Sequence, residues 1–134
     1  NHYALRDGVM HEMGRQIDGD AKGVFVTHSV KYNRVSYFDQ TVNQWQHFPR
    51  SGSGNSIMVT ENDVWLAVGS PRNPLHRMAR DGQSGEIYPP FNERENTYIS
   101  ALADEGGKIW FGTYIKHWQA GSYKITSQLG YMPY

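Results

Sequence analysis

Cysteine is absent from this chain of 134 residues, and neither sign of charge is in excess. Without cysteine the chain can form neither a disulfide framework nor a thiolate metal site, an absence that is neutral about the compartment. The 13 basic and 13 acidic residues cancel, which argues against binding nucleic acid or an anionic membrane by bulk charge. The length suffices for one ordinary domain with a hydrophobic core.

Long apolar runs are missing as well. No run approaches the roughly 20 apolar residues of a membrane-spanning helix, so we expect no membrane insertion by this segment. The chain begins at Asn1 with neither a signal peptide nor an initiator methionine. We therefore expect either a mature product or an excised piece of a longer protein.

Glycine and aromatic residues, by contrast, are plentiful, with 14 Gly, 9 Tyr and 4 Trp. This composition suits a turn-rich β protein better than a helical one. The stretch 104–113 places an acidic Gly-Gly turn before an apolar strand that contains Trp110, and the same shape recurs around Trp65 and more weakly around Phe25. These three marker aromatics are 40 and 45 residues apart, which predicts three repeated β units.

Other large apolar residues recur at fixed distances from the marker aromatics. Thirteen residues after the markers lie Phe38, Met78 and Tyr123. Twenty-three residues after the first two markers, and twenty-two after the third, lie Phe48, Tyr88 and Met132, each directly followed by a proline. Units of this length with four short strands are typical of β-propeller blades. We predict an all-β fold of about three four-stranded antiparallel β-propeller-like blades, with an evenly spaced β-sandwich as the alternative.

We assign the whole chain, 1–134, to one domain with units at about 9–50, 56–91 and 98–134, while residues 1–8 stay unassigned.

The first twenty residues allow two interpretations. Apolar residues at every fourth position form a helical stripe, namely Leu5, Val9, Met13 and Ile17. Gly8 and Gly14 interrupt that stripe, each costing a helix about 1 kcal/mol relative to alanine. We therefore slightly favour the alternative, a strand over 9–13 that opens the first unit.

The segment 98–113 resembles the two-component-regulator propeller repeat, through its acidic-Gly turn, its Ile109-Trp110 pair and its Gly112-Thr113 ending. The resemblance implies blades of a larger propeller in the periplasmic sensor half of a hybrid histidine kinase, often linked to polysaccharide sensing. It also implies a periplasmic or extracellular location. The same signature is similar to streptogramin-lyase propellers, our second choice, so it indicates architecture better than function.

Three blades do not close a ring, since closed propellers typically carry four to eight. Three explanations stay open: a fragment of a larger propeller, a ring completed by a second copy, or another way of packing the repeats. We expect the partner to be a further copy of the chain or the remainder of a larger propeller.

The tryptophans differ in their surroundings. Trp65 and Trp110 lie within apolar strands, and we expect both to be buried packing residues. Trp45 and Trp118 flank polar residues, so an exposed stacking surface is the alternative for them.

Catalytic motifs are absent: the chain has no Gly-x-Ser-x-Gly, no His-Glu-x-x-His and no phosphate-binding loop. The six histidines are scattered, with none at metal-ligand spacing. We predict no catalytic residue, no metal site and no cofactor.

A cation follows each marker aromatic by six or seven residues, in the loops where propellers usually bind ligands. These cations are Lys31, Arg72 and Lys116, and the neighbouring candidates are Tyr32, Arg34, Asn73, Tyr114 and His117. Stacked blades would gather them on one rim beside aromatic rings, which suits an anionic glycan. The plain alternative is that these are ordinary solvated loops.

We predict a non-catalytic ligand-binding or sensing module, with anionic carbohydrate as the candidate ligand and no nucleic-acid partner. The alternatives are a structural module that binds another protein chain, and a lyase-like propeller enzyme, which would need a histidine and usually a divalent metal.

Overall fold

The computed structural model describes residues 14–28, 35–48, 54–68, 74–83, 85–88 and 97–134. These residues form eleven β-strands and no helix. In chain order the strands are β1 (Gly14–Asp20), β2 (Gly23–His28), β3 (Val35–Asp39), β4 (Gln44–Phe48), β5 (Gly54–Val59), β6 (Asp63–Val68), β7 (Leu75–Ala79), β8 (Gly85–Tyr88), β9 (Thr97–Asp104), β10 (Lys108–Gln119) and β11 (Ser122–Pro133). The all-β prediction is confirmed for the described part of the chain.

The strands form three antiparallel sheets, each from consecutive segments of the chain. Sheet 1 has the order β1-β2-β3-β4, sheet 2 the order β5-β6-β7-β8, and sheet 3 the order β9-β10-β11. The opening strands lie side by side, since β5 contacts both β1 and β9. Sheet 2 therefore lies between the other two.

Each marker aromatic is the third residue of the second strand of its sheet: Phe25 in β2, Trp65 in β6 and Trp110 in β10. We call the side of each sheet that carries this residue its front face, and the other side its back face. Because side chains alternate along a strand, the residues before and after the marker lie on the back face.

Two hydrophobic cores fill the spaces between the sheets. In the first, the front face of sheet 1 packs against the back face of sheet 2; its buried residues are Phe25, Val35, Tyr37, Phe48, Ile57, Val64, Leu66 and Met78. In the second, the front face of sheet 2 packs against the back face of sheet 3; its buried residues are Met58, Trp65, Ala67, Leu75, Ile99, Ile109 and Phe111. Sheet 2 thus has apolar residues on both faces because it is covered on both.

Burial of the markers follows from this order. Phe25 and Trp65 are fully buried, as predicted for Trp65. The prediction for Trp110 is wrong: it is half-buried, because Ile109 and Phe111 point at sheet 2 and Trp110 points the other way. Its indole N–H donates to the Glu105 carboxylate at 2.7 Å.

Sheet 3 departs from the expected unit, since it has three strands in the described residues and not four. The segments around 118–125 and 131–132, expected as separate strands, belong to one long hairpin of two twelve-residue strands. This hairpin turns at Ala120 and Gly121, which both have positive φ.

The long hairpin also changes one of the predicted equivalences. Phe38 pairs with Val24 and Met78 pairs with Val64, but the corresponding partner of Ile109 is Met132. Tyr123 instead pairs with Trp118 near the tip of the hairpin, where both side chains are exposed.

Sheet 1 opens with β1 at 14–20, and the strand predicted at 9–13 lies outside the described residues. Trp45 is half-buried, with its ring 5.2 Å from that of Phe38.

Polar contacts join sheets 1 and 2 where β1 meets its turn. The Asp18 carboxylate accepts a hydrogen bond from the backbone N–H of Val59 at 2.7 Å. Arg80 donates to both carboxylate oxygens of Asp20, at 2.7 and 2.9 Å, and lies over the Phe25 ring with its guanidinium carbon 5.5 Å from the centroid. These bonds fix the position of sheet 2 on the front face of sheet 1.

Sheet 3 is joined to sheet 2 by the last residue of the chain. The Tyr134 ring lies edge-on to Trp65, with the centroids 5.7 Å apart. Its hydroxyl donates to Asp104 at 2.7 Å, and this hydrogen bond raises the pKa of Tyr134 to about 12.

Candidate functional site

Two tyrosines and a lysine form a cluster on the front face of sheet 3. The rings of Tyr98 and Tyr114 stack with their centroids 5.1 Å apart and their planes 11° from parallel. The Lys116 ammonium lies 5.1 Å from the Tyr98 centroid and 5.7 Å from the Tyr114 centroid. We refer to Tyr98, Tyr114 and Lys116 as the tyrosine–lysine cluster.

The register of the β9–β10 hairpin brings the two tyrosines together. Gly106 and Gly107 both have positive φ, which matches a two-residue turn between Glu105 and Lys108. A register shift then follows near Gly112, where the Ser100 hydroxyl donates to the Gly112 carbonyl at 3.1 Å.

This shift decides which face Tyr98 occupies. Beyond it, Tyr98 pairs with Tyr114 and Thr97 pairs with Ile115. Without this one-residue shift Tyr98 would lie opposite Ile115, a buried residue of the back face. The irregularity therefore moves Tyr98 from the core side to the front face.

The cluster lies past the point where the other sheets end. β2 ends at His28 and β6 at Val68, three residues after their marker aromatics, and the equivalent position in β10 is Thr113. Tyr114 and Lys116 are in the extension of β10 beyond that point. The cluster thus lies beyond the level at which β2 and β6 end, and we call this end of sheet 3 the rim.

Lysine supplies all the formal charge of the β10–β11 hairpin. No Asp or Glu occurs after Glu105 in the sequence, whereas the β10–β11 hairpin carries Lys108, Lys116 and Lys124. Tyr98 and Tyr114 are half-buried and Lys116 is exposed. The partly desolvated tyrosine rings can stack on the apolar face of a ligand ring, and the exposed ammonium group can bind an anionic group of the same ligand.

Only part of the predicted site can be located. Tyr114 and Lys116 lie together, but in β10 and not in the loop that we predicted for them, and His117 points to the opposite face of β10, where it pairs with Lys124. The remaining candidates lie outside the described residues: Lys31, Tyr32, Arg34, Arg72 and Asn73.

A second feature is a cleft of about 790 Å³ between the outer strands of sheets 1 and 2. Its lining includes His47, His76, Arg77 and Glu86. Arg77 donates to Asp63 at 2.7 Å and lies 3.8 Å from Glu86, and the hydrogen bond to Asp63 is the main cause that raises the pKa of Arg77. Arg77 pairs with Trp65 on the front face of sheet 2, where both carboxylates surround its guanidinium, whereas the cleft adjoins Phe48, Leu66 and Met78 of the first core.

Sequence spacing gave no sign of a hydrogen-bonded chain within sheet 1. His28 Nε2 lies 2.7 Å from Ser36 Oγ, which lies 2.9 Å from His47 Nδ1. A serine beside a histidine is an arrangement used in nucleophilic catalysis, but Ser36 and His28 are fully buried. A substrate cannot reach this hydroxyl, so we assign the chain of bonds to the packing of sheet 1.

Within the described ranges no three His, Asp or Glu side chains are grouped so that they could hold a metal ion. The same part of the chain contains no apolar helix of membrane-spanning length.

Sequence reasoning missed Tyr98 as a member of the rim site. The signal that could have found it is the hairpin itself, since counting back from the Gly106-Gly107 turn places 98 close to 114. The register shift that brings the two rings face to face has no such signal.

No family model and no curated protein matches the chain. Among solved structures it is similar to a chain of a Saccharomyces cerevisiae complex, a Dbp5 variant bound to Nup159, a Gle1 variant, IP6 and ADP, with a TM-score of 0.54 and 12% identity. The similarity covers 88% of this chain and 38% of that chain, so this chain spans well under half of its length. It is also similar to the computationally designed Ika4 protein, with a TM-score of 0.58, 11% identity and 92% of each chain covered. At these identities the similarity is one of fold alone.

Proposed function

We propose that the chain is a non-catalytic binding module built from three β-propeller-like blades, with the tyrosine–lysine cluster as its site for an anionic carbohydrate. The blade assignment is supported by three consecutive antiparallel sheets whose opening strands lie side by side. It is supported further by the equal placement of Phe25, Trp65 and Trp110. The resemblance of 98–113 to the two-component-regulator repeat points the same way.

The observation that carries the ligand assignment is the pair of parallel tyrosine rings with Lys116 beside both. The apolar face of a sugar ring packs on an aromatic ring, and such a surface costs little conformational entropy because tyrosine has few rotatable bonds. A carboxylate or sulfate on the next sugar unit would accept a charge-assisted hydrogen bond from the ammonium group. The absence of acidic residues after Glu105 removes competition for that lysine within the hairpin.

Titration calorimetry with a hexamer of galacturonic acid, and with a neutral hexamer of glucose, tests this assignment. We expect binding of the acidic hexamer and a loss of about tenfold in affinity for Lys116→Ala, since a hydrogen bond to a charged group contributes about 1.5 kcal/mol or more. Tyr114→Ala should weaken both the stacking and the charged contact.

Lys124→Ala is the matched control, because Lys124 is an exposed lysine of the same hairpin on its other face. Equal losses for Lys116→Ala and Lys124→Ala would mean diffuse charge attraction and would remove the cluster as a site. Equal binding of the neutral hexamer would remove the anionic ligand.

A further inference from the structure

Both internal interfaces pair the front face of one sheet with the back face of the next. Front faces of sheets 1 and 2 are covered by the back faces of sheets 2 and 3. The front face of sheet 3 and the back face of sheet 1 have no sheet against them within the described ranges.

The front face of sheet 3 repeats the residue types that are buried on the front face of sheet 1. Phe25 pairs with Tyr37 and their rings stack 4.3 Å apart, at 0% and 9% exposure. Trp110 pairs in the same way with Tyr131, with the rings 5.0 Å apart, yet Tyr131 is 59% exposed. Leu129, in the next row of this face, is 73% exposed.

The back face of sheet 1 is the other half of such an interface. Ile17 pairs with Val26 as Ile57 pairs with Leu66. Ile57 is buried against sheet 1 at 7% exposure, whereas Ile17 is 69% exposed. The same apolar residue thus occupies the same place, but nothing in the described part of the chain covers it.

A more specific equivalence concerns the residue that follows the third strand of each sheet. Arg80 comes two residues after Met78 and lies over Phe25 of the preceding sheet, 5.5 Å from the centroid. Tyr134 comes two residues after Met132 and lies against Trp65, 5.7 Å away.

In sheet 1 this position is Gln40, which is exposed. Its backbone N–H donates to the carbonyl of Lys22 at 3.1 Å, as that of Tyr134 does to Gly107 at 3.0 Å. The acidic partner has an equivalent as well, because Glu105 precedes Trp110 by five residues as Asp20 precedes Phe25.

We propose that a second copy of this chain covers the open face, with the front face of sheet 3 of one copy on the back face of sheet 1 of the other. Gln40 of the second copy then lies against Trp110 and Glu105, in the place that Arg80 takes against Phe25 and Asp20. Two such contacts related by a two-fold axis form a ring of six sheets, within the four to eight of closed propellers. A second copy is the occupant because one chain carries both halves of the interface in the register of its own two cores.

This inference rests on the sheet interfaces and is independent of the ligand assignment. The tyrosine–lysine cluster lies beyond Thr113, past the equivalent ends of β2 and β6, so docking at the Trp110 end leaves the rim outside the contact.

Sedimentation velocity of the 134-residue chain over a concentration series is the first test. We expect a species of about 31 kDa, twice the 15.3 kDa of one chain, that dissociates on dilution. A single-chain mass up to about 100 µM would overturn the proposal and leave the open faces to a sheet from elsewhere. Species growing beyond two copies would overturn the closed ring, because an unclosed head-to-tail contact forms filaments.

Substitutions at Gln40 test the interface in both directions, since one should strengthen association and the other should weaken it. Gln40→Arg should recreate the ion pair and the ring contact of Arg80 and lower the dissociation constant by about fivefold at each contact, or about 25-fold for a ring with two contacts. Gln40→Glu should weaken association by repelling Glu105, and adding Glu105→Arg to that variant should restore it.

Gln83→Arg is the matched control, since Gln83 is an exposed turn glutamine of sheet 2 that should leave association unchanged. Ile17→Lys should abolish the dimer, and Ile87→Lys, at a comparably exposed isoleucine of β8, should not. A dimer that tolerates Ile17→Lys and ignores the Gln40 variants would show that copies meet through another surface. Circular dichroism of each variant separates lost association from lost folding.

Discussion

The ion pair between Asp20 and Arg80 joins two sheets, and removing its negative charge measures what that link contributes. Arg80 Nη1 donates to Asp20 Oδ2 at 2.7 Å and also to the Thr60 carbonyl at 2.9 Å, while Nη2 donates to Oδ1 at 2.9 Å. Asp20 Oδ1 also accepts the backbone N–H of Lys22 in its turn. In Asp20→Asn the amide oxygen can keep that turn bond, but the amide nitrogen that replaces Oδ2 cannot accept from Arg80 Nη1, so the change removes the charge and one hydrogen bond of the pair.

The pKa of Asp20 indicates the size and the pH dependence of the effect. The hydrogen bonds from Arg80 lower it from 3.8 to about 2. At about 1.4 kcal/mol per pKa unit, a shielded pair would contribute about 2.5 kcal/mol. The Asp20 side chain is 38% exposed, so screening by solvent reduces the expected contribution to about 1 kcal/mol.

The sign of the pH dependence follows from the direction of that shift. Because the folded-state pKa lies below the unfolded-state value, the stabilisation is present above about pH 4 and is lost as the pH falls towards about 2. Urea unfolding of the original chain and of Asp20→Asn should therefore differ by about 1 kcal/mol at pH 7 and by about a third of that at pH 2.5.

Asp81→Asn serves as the control, since Asp81 is exposed and its carboxylate accepts the backbone N–H of Gln83 within the β7–β8 turn. We expect a smaller loss there at pH 7. An Asp20→Asn variant as stable as the original chain at pH 7 would refute the reasoning. So would a loss at pH 2.5 as large as the loss at pH 7.

Two further predictions concern the long hairpin of sheet 3. Ala120 has φ 50° beside Gly121 at φ 81°, a left-handed backbone that asparagine tolerates better than alanine does. Ala120→Asn should therefore raise the free energy of unfolding, measured in urea, by about 0.5 kcal/mol. An unchanged midpoint would contradict this. A methyl group at Gly130 would meet the Phe111 ring at 2.6 Å, so Gly130→Ala should cost about 1–3 kcal/mol, with Ser127→Ala on the same strand as the control.

Much of the strand pattern was predictable from local signals. β4 and β7 both mix large apolar with polar side chains and are bounded on each side by turn residues, which is a strand signal that can be read from the sequence. The Gly106-Gly107 turn was equally visible, since two positive φ angles in succession are inexpensive only for glycine.

The third unit shows where local signals fail. Residues 118–125 carry aromatic and β-branched side chains that suit a single strand, yet they form the tip of the hairpin, with the Ala120-Gly121 turn between β10 and β11. The spacing rule then assigned Tyr123 to the place that Met132 occupies. Position along the chain predicts position in a sheet only while hairpin lengths stay constant.

The candidate site was predicted in its residue types and decided by its register. We predicted Tyr114 and Lys116 in a loop, and only the structure places them in β10, where alternation along the strand puts both on one face. Their contact with Tyr98 depends on a one-residue register shift near Gly112. The stability of that shift depends on the pairing of two strands and on the packing behind them, which one strand's sequence does not show.

The sequence by itself determined that the chain would form β-strands and that three aromatic-marked units would succeed one another, because alternation, turn residues and repeat spacing are local properties. Only the tertiary structure decided which face of each strand is covered. Trp65 is buried and Trp110 is half-buried at the same position of equivalent strands. Burial depends on whether another sheet lies opposite, and the sequence of one strand does not show which sheet will pack against it.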